Sequence, residues 1–92
     1  MNPLSRSFDY DLARVLLVDD NPMVLGMLRQ GLSTVANVSI AADGADALLK
    51  IIDEPFDLIV ADYQMPGMDG RQLLEKVKSR PATSRIPVML LA

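Results

Sequence analysis

Four short apolar runs, separated by segments of helical periodicity, restrict the fold of this chain more than any other feature. Residues 14–18 (RVLLV), 38–42 (VSIAA), 58–61 (LIVA) and 88–92 (VMLLA) are rich in Val, Leu, Ile and Ala. Such runs suit strands buried on both faces of a parallel sheet. Between the first two, Val24, Leu25, Leu28 and Leu32 form one helical stripe. Asn21 as N-cap and Pro22 at the first helical position start that helix, and Gly26 and Gly31 weaken it. Asp43 and Gly44 make a turn and cap, and Ala45, Leu48, Leu49 and Ile52 then predict the inner face of a second helix, ended by Pro55. A third helix follows the Pro- and Gly-dense loop 64–70. Its capping box pairs Asp69 with Gln72, and its inner face is Leu73, Leu74 and Val77. Residues 79–85 read as a loop broken by Pro81. The order β-α-β-α-β-α-β, with right-handed crossovers, predicts an α/β fold: an open, doubly wound parallel sheet with helices on both faces. Residues 1–13 read as a polar N-terminal extension, and residues 14–92 as the folded domain.

Composition narrows the chemistry. The 92 residues make one domain, and 50% apolar with 23% charged residues is an ordinary globular balance. The chain has no cysteine and no histidine, which excludes disulfides, thiolate or imidazole metal sites, and Ser-His-Asp or Cys nucleophiles. A net charge of −3 argues against a nucleic-acid surface. The nine cations are scattered, and the loose cluster at 71–80 reads as a solvated helix face. No apolar run reaches the ~20 residues of a membrane span, and no signal-peptide core opens the chain. The expected compartment is the cytoplasm, with no membrane or nucleic-acid partner.

In open parallel sheets, ligands bind beyond the carboxyl ends of the strands, where the strand order reverses. Asp19 and Asp20 follow the first run and Asp62 follows the third. In the common order 2-1-3-4 these strands are neighbours, so the three carboxylates converge. Like charges brought together repel, and oxygen-only ligation by a divalent ion such as Mg²⁺ would offset that. A simple reading exists beside each of these: Asp19 or Asp20 could cap the first helix. Asp69 reads as a cap, Asp43 and Asp57 as turn residues, and Met65 and Met68 as packing residues in an adaptable loop. A carboxylate beside Mg²⁺ can take a phosphoryl group as an acyl phosphate. The absence of a GxxxxGK[ST] loop disfavours an NTPase.

The segments VLLVDDN (15–21), AADGADAL (41–48), FDLIVADYQMPGMDG (56–70) and IPVMLL (86–91) resemble the receiver domain of two-component response regulators, of the flavodoxin-like fold. The resemblance covers residues 14–92. It implies that Asp62 is the phosphoacceptor and that Asp20 is the direct Mg²⁺ carboxylate, with Asp19 set further back. It implies that the backbone carbonyl of Gln64 completes the protein's metal ligands. It implies a sensor histidine kinase or phosphotransfer protein as phosphoryl donor, and an output domain or effector as the reader of the switched surface. It also implies two departures. The family's Ser or Thr at the end of the fourth strand falls on Ala92, or by a one-residue shift on Leu91. The family's Lys at the end of a fifth strand has no counterpart, because Lys50, Lys76 and Lys78 lie in the second and third helices. A degenerate receiver, serving as a phosphorylation-independent interaction module, is therefore the alternative; a Mg²⁺-dependent phosphatase or phosphotransferase is weaker. The fold is expected to be truncated after the fourth strand, without fourth helix, fifth strand or fifth helix. Its exposed edge would be completed by a homodimer or another partner.

Overall fold

The computed structural model describes residues 12–92, so the expected extension lies outside the described residues as far as residue 11. Seven elements follow in order: β1 (Ala13–Val18), α1 (Pro22–Leu32), β2 (Ala36–Ala41), α2 (Gly44–Asp53), β3 (Leu58–Asp62), α3 (Gly70–Ser79) and β4 (Val88–Leu91). The four strands form one parallel sheet in the order β2-β1-β3-β4, as the element order predicted.

β1 lies at the centre because nothing in Val15–Val18 is polar. Leu16 and Val18 point to the side of α2 and α3, where they join Ile59, Ala61, Leu73 and Val77. Val15 and Leu17 point to the other side, where Leu25 of α1 seals them. Burying a Leu or Val on either face is worth about 1.5–3 kcal/mol, so the strand is held from both sides. Arg14 anchors its start. Its backbone N–H donates to Asp57 Oδ2 and its carbonyl accepts from the Asp57 N–H, both at 2.8 Å. Its guanidinium reaches Glu54 Oε1 at 2.8 Å and lies over the Phe56 ring. Asp57 is thus an extension of the β1–β3 ladder rather than the simple turn residue expected.

The helix starts follow local chemistry. Asn21 Oδ1 accepts from the N–H groups of Met23 (2.9 Å) and Val24 (3.4 Å), with Pro22 in the first turn of α1. Asp43 caps α2, and Asp69 and Gln72 form the reciprocal capping box of α3.

α2 departs from expectation in its rotation about its own axis. Ala47 and Ile51 are buried and Leu48 packs beside them, whereas Leu49 and Ile52 are 66% and 53% exposed. The helix carries two adjoining apolar stripes, and the one containing the small Ala47 faces the sheet. α3 buries Leu73 and Val77, and Leu74 is half-buried. Among the described residues only α1 covers the second face, so Val60 stays half-buried and Met89 and Leu91 are 52% and 39% exposed.

The expected loop after α3 is a set of tight turns, held by a buried side chain that the sequence did not flag. Thr83 is 5% exposed, and its hydroxyl donates to the Val77 carbonyl at 2.7 Å. Lys78 Nζ closes the same loop by donating to the carbonyls of Ser84 and Ile86.

Thr83→Val keeps the volume and removes the donor. A loss of about 1 kcal/mol is expected, read as a fall in Tm of about 4–8 °C for a domain of this size by circular dichroism. A second expectation concerns Asp46, whose carboxyl is held below its ordinary value chiefly by the hydrogen bond from Lys50, helped by the Ala42 N–H. A depressed carboxyl stabilises the fold above its unfolded value, and that contribution disappears as pH falls through the folded one. Asp46→Asn should therefore be less stable than the parent at neutral pH, with the gap closing in acid. Urea unfolding at a series of pH values measures this.

Candidate functional site

The sheet register builds the site. Val18 pairs with Ala61, so the next residues, Asp19 and Asp62, leave adjacent strands side by side at their carboxyl ends. Carboxylate oxygens of Asp19, Asp20 and Asp62 all lie within 4.8 Å of one another. Asp19 and Asp62 are half-buried and Asp20 is exposed. The three residues expected to converge do so, and they form the one such acidic group among the described residues.

Each carboxylate has a different local role. Asp19 Oδ1 accepts the Asn21 N–H at 2.8 Å, which ties the β1–α1 turn to the N-cap. This gives Asp19 a structural duty beside its place in the cluster, while the cap itself is Asn21 and not Asp19 or Asp20. Asp20 has no hydrogen-bond or ion-pair partner among the described residues. Asp62 Oδ1 accepts the Gln64 N–H at 3.3 Å, so Gln64 joins the site through its amide. Asp43 and Asp69 are engaged as helix caps. Met65 is buried in the core and Met68 packs against it, as packing residues should.

No ion pair brings a cation to the cluster among the described residues. Lys50 is held by Asp46, and Lys78 by loop carbonyls. Three convergent carboxylates with room on the solvent side and no internal counter-charge suit a hard divalent cation that keeps part of its water shell. The donor set is all oxygen, which excludes the soft-ligand metals.

The loop after Asp62 is held from below. Gly67 has φ 75°, a left-handed turn that favours glycine. Gly70, the first residue of α3, donates its N–H to the Tyr63 carbonyl at 2.9 Å. A Cβ at Gly70 would collide with the Asp62 carbonyl oxygen and press on Tyr63 Cα. The helix therefore starts hard against the backbone of Asp62. Sequence reasoning missed this contact; its one trace is a glycine at the first position of a helix, where glycine is a poor helix former. On the other side, Leu91 is the register partner of Asp62, and the Tyr63 N–H donates to its carbonyl at 2.8 Å. Neither Leu91 nor Ala92 offers a hydroxyl there, in line with the departure expected from the sequence.

Among the described residues no helix is long and apolar enough to cross a membrane. The family model of the response regulator receiver domain matches residues 15–92. The chain is 41% identical over 85 residues to the sensor histidine kinase TmoS of Ectopseudomonas mendocina, covering 92% of this chain and 9% of that protein. It is 44% identical over 82 residues to a gliding motility regulatory protein of Myxococcus xanthus, covering 86% of this chain and 10% of that protein. The chain thus spans about a tenth of the length of these curated relatives. Among solved structures, it resembles the N-terminal domain of a response regulator receiver protein from Methanoculleus marisnigri. The TM-score is 0.85 at 35% identity, covering 89% of this chain and 68% of that one. It also resembles chemotaxis protein CheY4 of Vibrio cholerae, with a TM-score of 0.82 at 32% identity, covering 86% and 67%. Receiver domains are signalling modules that pair with histidine kinases and typically bind Mg²⁺ at an acidic pocket. By fold, by acidic cluster and by sequence, the chain belongs to the response regulator receiver domains of two-component signalling.

Proposed function

We propose that Asp62 accepts a phosphoryl group from a phosphohistidine of a sensor kinase or phosphotransfer protein, and that the acyl phosphate alters a surface read by an output domain or effector. The observation that carries this reading is the convergence of Asp19, Asp20 and Asp62 within 4.8 Å at the carboxyl end of the central strands. Asp20, Asp62 and the backbone carbonyl of Gln64 would hold Mg²⁺, with Asp19 supporting from the turn it fixes. Bound there, Mg²⁺ would offset the negative charge gathered on the oxygens of the transferring group.

The chain's own residues do the rest. A carboxylate oxygen of Asp62 attacks phosphorus. The N–P bond of the phosphohistidine breaks, its electron pair stays on the imidazole nitrogen, and that nitrogen takes a proton from solvent. Gly70 and the Gln64 amide hold Asp62 in place while this happens. Asp20 is exposed, so the mouth of the site is open to a partner. A phosphorylation-independent module is disfavoured, because it leaves three converging carboxylates without a use.

Incubation with acetyl phosphate and Mg²⁺ should add the mass of one phosphoryl group to the intact chain, and Asp62→Asn should abolish the gain. A chain that binds Mg²⁺ yet never gains this mass would overturn the proposal. Asp19→Asn, which removes a supporting ligand charge, should weaken Mg²⁺ by about tenfold or more, and Asp20→Asn by more than that. Calorimetric titration of the metal checks both. Gly70→Ala should cost about 1–3 kcal/mol through overpacking and also weaken Mg²⁺, because the new methyl displaces the Asp62 backbone; urea unfolding with the same titration separates the two effects.

A further inference from the structure

We propose that the groove between α2 and α3 is a docking site for an amphipathic helix of a partner protein, one with an apolar face and an acidic rim. α2 carries a second apolar stripe that the core does not absorb: Leu49 and Ile52 are 66% and 53% exposed, beside the half-buried Leu48. Contiguous exposed apolar side chains, unlike scattered ones, mark interaction surfaces. Leu48 and Ile52 line one wall of a groove of about 270 Å³, and Lys76, Ser79 and Arg80 line the other. A second depression of about 360 Å³ adjoins it, sharing Ile52 and Arg80 and floored by Phe56 and Ile86. The two depressions are continuous through Ile52 and Arg80 and make one trough. α2 and α3 cover the same face of a parallel sheet after right-handed crossovers, so they run side by side in the same direction, and the groove between them follows their axes, the geometry of helix-in-groove recognition.

Charge selects the occupant. Arg14, Lys50, Arg71 and Lys78 are engaged by carboxylates or carbonyls. The side-chain cations of Lys76 and Arg80 have no hydrogen-bond or ion-pair partner among the described residues, and both residues stand on the wall of the groove. Glu75 is partly neutralised by Arg71 and Glu54 by Arg14. Asp53 also lines the trough, at the end of α2, so the basic charge is concentrated on the α3 wall, in a chain whose net charge is −3. A second copy of the same surface would set these cations against each other, whereas Asp or Glu flanking an apolar helix face would pair with them. α2 runs against the strand direction, so Leu48–Ile52 lie toward the end of the sheet opposite Asp62. Docking here leaves the acidic cluster open.

The test is an NMR titration of the isotope-labelled chain with two synthetic amphipathic helices of equal Leu content, one rimmed by Glu and one by Lys. The Glu peptide is expected to shift the amides of Leu48, Leu49, Ile52, Lys76 and Arg80, and to bind at least tenfold more tightly than the Lys peptide. Ile52→Asp should weaken it by tenfold or more, and the exposed site makes that variant tolerable to the fold. The double variant Lys76→Glu and Arg80→Glu should reverse the preference between peptides and does not depend on Ile52→Asp folding. Equal binding of both peptides, no binding, or shifts confined to Leu58, Val60, Met89 and Leu91 on the opposite face would overturn the proposal. So would a dimer that Ile52→Asp dissolves, or groove resonances that move on deletion of residues 1–11 alone, since each assigns the trough to this chain itself.

Discussion

Everything in this domain rests on the pairing of β1 with β3. β1 has apolar side chains on both faces and is walled by α1 on one side and by α2 and α3 on the other. Backbone polar groups in such a strand have no water, so they must be paired by neighbouring strands. β2 and β3 supply those partners along nearly its whole length. The register that satisfies the backbone also sets Asp19 beside Asp62. The apolar strand thus makes the polar site. Once the hydrophobic residues are matched across the sheet, the carboxylates emerge together at its end, and a one-residue slip would turn every buried side chain to the wrong face.

What was legible in the sequence is what depends on near neighbours. Asn21 with Pro22, Asp43 with Gly44, and Asp69 with Gln72 announce helix starts because a cap is a bond within three residues. Asp62 was legible because it ends an apolar strand with no turn to account for it. What escaped depends on distant partners. β2 begins at Ala36, two residues earlier than its β-branched residues indicate, because Ala13 and Arg14 of β1 recruit Ala36 and Asn37. Asp57 and Thr83 carry ordinary turn signals, and their duties toward Arg14 and Val77 exist only in the folded chain.

The rotation of α2 shows why periodicity alone underdetermines packing. Ala45, Leu48, Leu49 and Ile52 make a valid helical stripe, and so do Ala47, Leu48 and Ile51. Total hydrophobicity favours the first. Close approach to a flat sheet favours the second, because the methyl of Ala47 lets the helix backbone sit near Leu16 and Ile59. Packing density outweighs the larger side chains, and the losing stripe becomes surface.

β4 has only four residues, and among the described residues it is bonded to β3 alone. Its outer side chains, Met89 and Leu91, are largely in solvent. Among these residues β4 is thus held less firmly than β1, which is bonded on both sides. Because the Tyr63 N–H is bonded to the Leu91 carbonyl, any opening of β4 also frees the peptide that follows Asp62. Asp62 thus stands between β1, paired on both sides, and β4, paired on one side among the described residues.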